Sequence, residues 1–176
     1  MLRGYPGSSR ANATAVGAQC GRARPRRGYL RTMATVSRFV AAPPSQVFRV
    51  LADAWTYAGW VVGASTIRAV DAGWPQPGTR LHHAVGAWPL LVVDQTEVVA
   101  VEPDRWLELQ AHGWPLGEAR VLFELEPEDA GTRVVMHERA RRGPALLMRN
   151  PLGERLIALR NTESLARLAA MVERHS

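Results

Sequence analysis

The chain has 176 residues, 47% of them apolar, a size and composition that suit one globular domain with a real core. Its formal charge of +6 is unevenly spread: all 22 basic residues are arginine, seven of them precede Met33, and none of the 16 acids does. Residues 33–176 therefore carry 15 − 16 = −1, and a near-neutral body lacks the basic patch that specific nucleic-acid binding needs.

Residues 1–32 are rich in Gly, Ala, Ser and Arg and hold no periodic apolar pattern. Such a segment buries too little surface to offset its ordering entropy and is expected to be a disordered tail. Its arginine-rich, acid-free composition resembles a transit peptide. The Arg26-Arg27 pair invites a twin-arginine reading, but no apolar stretch follows it. The simplest reading makes Met33 the natural start, because the fold signal begins immediately after it. Cys20, the sole cysteine, lies in the tail, so neither an internal disulfide nor a cysteine nucleophile is expected in the domain. No apolar run reaches the length of a membrane span, and a cytoplasmic protein is the default expectation.

Thr35–Ala41 alternates and predicts a first strand, ended by Pro43-Pro44. Pro44 suits the first turn of a helix, and Val47, Phe48 and Leu51 continue at helical spacing. A second short helix is expected over Ala54–Trp60, anchored by Trp55 and Trp60. An antiparallel meander then follows, with strands near Ser65–Ala72, Thr79–Gly86, Leu90–Val101, Arg105–Ala111, Ala119–Glu126 and Thr132–Ala140. Gly73-Trp74-Pro75, Trp88-Pro89, Glu102-Pro103-Asp104, Gly113-Trp114-Pro115 and Pro127–Gly131 mark the turns. Val121, Phe123 and Leu125 share one strand face, and Arg120, Glu124 and Glu126 the other, as in a sheet with one covered and one wet side. After Pro151 nothing interrupts a long helix, whose inner stripe is Ile157, Asn161, Leu165, Leu168 and Val172.

The predicted class is therefore α+β: a curved seven-stranded antiparallel sheet wrapped around a long C-terminal helix, with two short helices after the first strand. A sheet that curved cannot close tightly on one helix, so an internal apolar cavity is expected. The stretch Ala41-Ala42-Pro43-Pro44-Ser45-Gln46-Val47-Phe48, then Leu51-Ala52-Asp53 and Trp60, resembles the opening of the SRPBCC superfamily. Gly131-Thr132-Arg133-Val134 and the closing helix extend the likeness over essentially all of 33–176. The resemblance implies the helix-grip fold shared by START lipid-transfer domains, birch-pollen-type allergens and polyketide cyclase/dehydrase-like proteins. That superfamily has no universal catalytic residue to carry over.

Meander turns alternate between the two ends of a sheet, which gathers Trp60, Trp88, Trp114 and the Gly143–Asn150 connection, with Leu146, Leu147 and Met148, at one end. Each either plugs the core or meets a ligand. Alternation also turns His83, Met136 and Glu138 inward, and Asn161 and Leu165 lie on the inner helix stripe. His83, Glu138 and Asn161 could supply the few convergent polar groups that a ligand pocket needs; the alternatives are a bulge or register slip that turns Glu138 outward, or a satisfied structural bond. His137 is expected to face solvent. The scattered histidines lack zinc spacing, and no phosphate loop or nucleophile elbow is present, so neither metal nor cofactor is expected. The leading expectation is binding or transport of a small hydrophobic, lipid- or polyketide-like molecule by a monomer or homodimer. The alternative is a cyclase/dehydratase-type enzyme with His83 or Glu138 as acid or base.

Overall fold

A computed structural model of the chain describes residues 34–85, 92–113, 117–148 and 150–174. The tail expected over 1–32 lies outside these residues, as do Trp88 and Trp114. Strand β1 (Ala34–Val40) leads into helix α1 (Pro44–Leu51), a short 3-10 turn (Ala54–Thr56) and helix α2 (Tyr57–Trp60). Strands β2 (Ala64–Val70), β3 (Arg80–Val85), β4 (Val92–Glu102), β5 (Trp106–Gly113), β6 (Gly117–Glu128) and β7 (Gly131–Arg142) follow. A second 3-10 segment (Pro144–Met148) then delivers the chain to helix α3 (Pro151–Glu173). All seven strands form one antiparallel sheet in the order β1-β7-β6-β5-β4-β3-β2.

Local chemistry explains the boundaries. Pro44 opens α1, where its missing N–H costs nothing, and Asn150 caps α3 by accepting from the Gly153 amide at 2.9 Å. The β6–β7 hairpin is tighter than the Pro127–Gly131 turn signal implies, because Glu128 already pairs with Gly131. Gly131 is needed there, since a Cβ would collide with the Val40 carbonyl. Its neighbour Thr132, fully buried, donates to the Ala42 carbonyl at 2.7 Å and locks the end of β1.

The concave face carries Leu81, Val98, Leu107, Leu109, Val121, Phe123, Leu125, Val134 and Met136, and it closes on Leu165, Leu168, Ala169 and Val172 of α3. The expected pair of aromatic anchors is corrected to one. Trp60 is buried, whereas Trp55 is 61% exposed, because the segment opens as a 3-10 turn that points Ala54 and Tyr57 inward instead. The convex face also departs from expectation. His137 and Glu124 point away from α3, as alternation requires, yet both are buried. Their ring Nε2 and Oε2 lie 3.1 Å apart, and the other ring nitrogen of His137 lies 2.9 Å from the Thr35 hydroxyl. Trp106, the cross-strand partner of Glu124, joins Leu122 and Ala100 in a second small core on that side. Alternation fixes direction; it does not fix exposure.

Candidate functional site

Two polar groups face each other across the concave face, separated by small side chains. On the β7 side, Glu138 is only 7% exposed and Asn161 not at all. The Asn161 amide donates to Glu138 Oε2 at 2.9 Å, and Arg160, the preceding residue of α3, pairs with the same oxygen. Arg160 also donates from Nε and Nη2 to Asn161 Oδ1, at 3.2 and 3.0 Å. The buried carboxyl is thus held by two adjacent helix residues, which removes the cost of leaving it unpartnered. The Arg160 side chain remains 44% exposed, so donors are left for a further group.

On the β3–β4 side, His83 stands opposite Asp94 in the strand register, and Thr96 follows Asp94 on the same face. All three are buried. His83 Nδ1 has no hydrogen-bond partner among the described residues. Burial pushes the His83 pKa below the ordinary 6.5; Asp94 and the Leu81 backbone pull it back up, and His82 adds to the lowering. A neutral imidazole with an unused nitrogen can accept or donate one bond to an oxygen of a bound molecule, according to its tautomer.

Between these groups the register aligns Thr96 with Ala111, Ala111 with Ala119 and Ala119 with Ala140. Ala111 and Ala119 are half-buried, and the next row holds Leu109, Val121 and Glu138. Three strand spacings separate β4 from β7, about 14 Å along the sheet. An alanine floor of that width, walled by His83, Asp94 and Thr96 at one side and by Glu138 and Arg160 at the other, suits an apolar molecule with polar ends.

The structure therefore brings Glu138 and Asn161 together and places His83 beside Asp94, four strands from β7 in sheet order. Met136 and Leu165 are buried in the core around them. Trp60 is buried too, its ring centroid 4.8 Å from Tyr57 and 5.7 Å from Phe123, and its Nε1 donates to the Thr56 hydroxyl at 3.2 Å. Leu146 and Leu147 are exposed, and Met148 ends the 3-10 segment. Arg160, Asp94 and Thr96 were missed by sequence reasoning. Arg160 precedes the inner stripe by one position and reaches in through its length, whereas Asp94 and Thr96 alternate with Val98 and were readable.

The pKa of His83 has a consequence for stability. Above about pH 6.5 the ring is neutral folded and unfolded; below it the unfolded chain takes up a proton first. Stability should therefore decline as pH falls from 6.5 toward the lower folded-state value. Urea unfolding at several pH values should show a smaller acid decline for His83→Gln than for wild type. An identical decline in both would show that His83 is not responsible.

A seven-stranded antiparallel sheet gripping a long C-terminal helix, with polar groups set into the concave face, defines a helix-grip protein. Residues 31–173 match the family described as polyketide cyclase / dehydrase and lipid transport, and the chain belongs to that family, within the SRPBCC superfamily. No curated protein matches the sequence. Among solved structures, protein CV1439 from Chromobacterium violaceum is 18% identical with a TM-score of 0.61, covering 79% of this chain and 96% of its own. The ZhuI aromatase/cyclase from Streptomyces sp. R1128 is 18% identical with a TM-score of 0.61, covering 80% and 92%. The di-domain aromatase/cyclase StfQ of the steffimycin biosynthetic pathway is 11% identical with a TM-score of 0.63, covering 82% of this chain and 51% of that one. At such identities these likenesses speak for the fold alone.

Proposed function

We propose that the chain binds a small, largely apolar molecule against the concave face, over the Ala111–Ala119–Ala140 row. The observation that carries this reading is the buried Nδ1 of His83 beside that row, without a partner among the described residues, a hydrogen-bonding atom that a bound oxygen would satisfy. Arg160 supplies a second polar contact at the far side, and the apolar floor supplies the driving force. The family's description, which includes lipid transport, supports carriage of such a molecule.

The test is a titration with N-phenyl-1-naphthylamine, a neutral apolar probe. Wild type should bind it with enhanced probe emission. Ala119→Phe fills the floor and should weaken binding at least tenfold, about 1.4 kcal/mol, with the thermal midpoint unchanged within error. Unaltered affinity in Ala119→Phe would remove the ligand from this face.

A second reading is a cyclase or dehydratase, favoured by the pairing of a neutral imidazole with Asp94 and by the cyclase members of the family. His83 would then take and return the proton. A cyclised product from a polyketide-type carbonyl substrate, absent with His83→Gln, would favour catalysis; return of the compound unchanged favours carriage.

A further inference from the structure

We propose that the outer edge formed by the Pro144–Met148 segment and the first half of α3 docks on an anionic lipid bilayer. Five leucines there point to solvent: Leu146 is 41% exposed, Leu147 79%, Leu152 69%, Leu156 51% and Leu159 68%. Leu152, Leu156 and Leu159 follow i, i+4, i+7, which makes one continuous stripe. That stripe lies on the side of α3 away from Asn161, Leu165 and Leu168, so the core makes no use of it. Asn150 fixes the two segments together: its amide donates to the Leu147 carbonyl at 2.7 Å while its Oδ1 caps α3. The apolar edge is thus a built surface continuous across the turn.

Its charge selects the partner. Arg155 and Arg160 flank the stripe on either side by their positions on the helix, and Arg142, its side chain 79% exposed and 3.8 Å from the Glu118 carboxylate, stands at the end of β7 just before it. Glu154 is the sole acid between Arg142 and Arg160 in the sequence. Aliphatic side chains bordered by arginines match the interface of an anionic bilayer, in which leucines enter the acyl boundary and guanidinium groups reach the phosphates. A protein partner is the poorer match. Protein hot spots concentrate in tryptophan, tyrosine and arginine, with leucine under-represented, and residues 144–160, which carry the five leucines, include no aromatic. Arg160 borders both the stripe and the Glu138 site, so a docked membrane lies next to that end of the concave face.

The experiment is co-sedimentation of the full chain with vesicles of phosphatidylcholine alone and of phosphatidylcholine mixed with phosphatidylglycerol. Binding should appear with the mixed vesicles, weaken with added salt, and be slight on phosphatidylcholine alone. The double variant Leu156→Glu/Leu159→Glu should lose at least tenfold in partitioning, and Arg142→Gln and Arg155→Gln roughly fivefold each. The four side chains are exposed, so the thermal midpoint should hold in every variant. Absence of binding to mixed vesicles overturns the proposal. So does undiminished binding of the leucine variant, which would assign the attraction to the arginines of residues 1–32. A dimer by light scattering that the leucine variant converts to monomer also overturns it, in favour of a second copy covering this edge. Naphthylamine binding at the concave face is read separately, so each proposal can fail without the other.

Discussion

Trp60→Ala should lower the stability of the protein by about 3–5 kcal/mol, the usual cost of deleting a large aromatic side chain from a core. Trp60 is 1% exposed and packs between Tyr57, with which it makes a tilted pair, and Phe123, which it meets edge to face. Those contacts tie the short α2 helix to the middle of β6, and α2 in turn sits against α3. Tyr57 reinforces the joint by donating its hydroxyl to the buried Leu51 carbonyl at 2.8 Å, and burial pushes its pKa well above the ordinary phenol value. Chemical denaturation of Trp60→Ala and Trp60→Phe measures the effect. A loss below about 1 kcal/mol for alanine would mean that the ring faces a void or a ligand rather than the core.

Asn161→Ala should cost about 2–3 kcal/mol, because it strands a buried carboxyl. Asn161 is wholly buried on α3, and Glu138 Oε2 depends on its amide and on the Arg160 guanidinium. Removing the amide leaves Glu138 with a single partner whose side chain is 44% exposed, and it also frees the two Arg160 donors that Asn161 Oδ1 accepts. The loss should shrink when Glu138→Gln is added, since neighbours sharing one network are not additive. Denaturation of the two single variants and the double variant gives the coupling directly. Strict additivity would show that Asn161 acts through packing alone.

Much of this architecture was legible because period and punctuation agreed. Val121, Phe123 and Leu125 assigned the concave face of β6, and the spacing from Asn161 to Val172 assigned the inner stripe of α3, whose expected first member, Ile157, is only half-buried. The inward placement of Glu138 and Asn161 followed from the same two periods, although neither predicts that an arginine at an outward helix position folds back to pair with Glu138. Long side chains escape periodicity. In β4 the alternation of Asp94, Thr96 and Val98 was readable, but a bulge between Val98 and Ala100 shifts its phase, sending Ala100 to the convex cluster with Trp106. His137 illustrates a different gap. Its outward direction was readable, but its burial arises from Glu124 and Thr35 on neighbouring strands, and pairing in space is invisible in a one-strand pattern.

Binding of an apolar molecule on the concave face between His83 and Arg160 is what joins these residues into one site. It is tested most directly by mapping where such a molecule touches. In an NMR titration of isotope-labelled protein with 2-naphthol, saturable shift changes are expected at Ala111, Ala119, Val121 and Ala140, together with His83 and the Arg160 side chain. The outer leucines Leu152, Leu156 and Leu159 of α3 and the convex residues Trp106, Leu122 and His137 should stay unmoved. Changes confined to Leu152, Leu156 and Leu159 or to the convex face, with the alanine row silent, would contradict it.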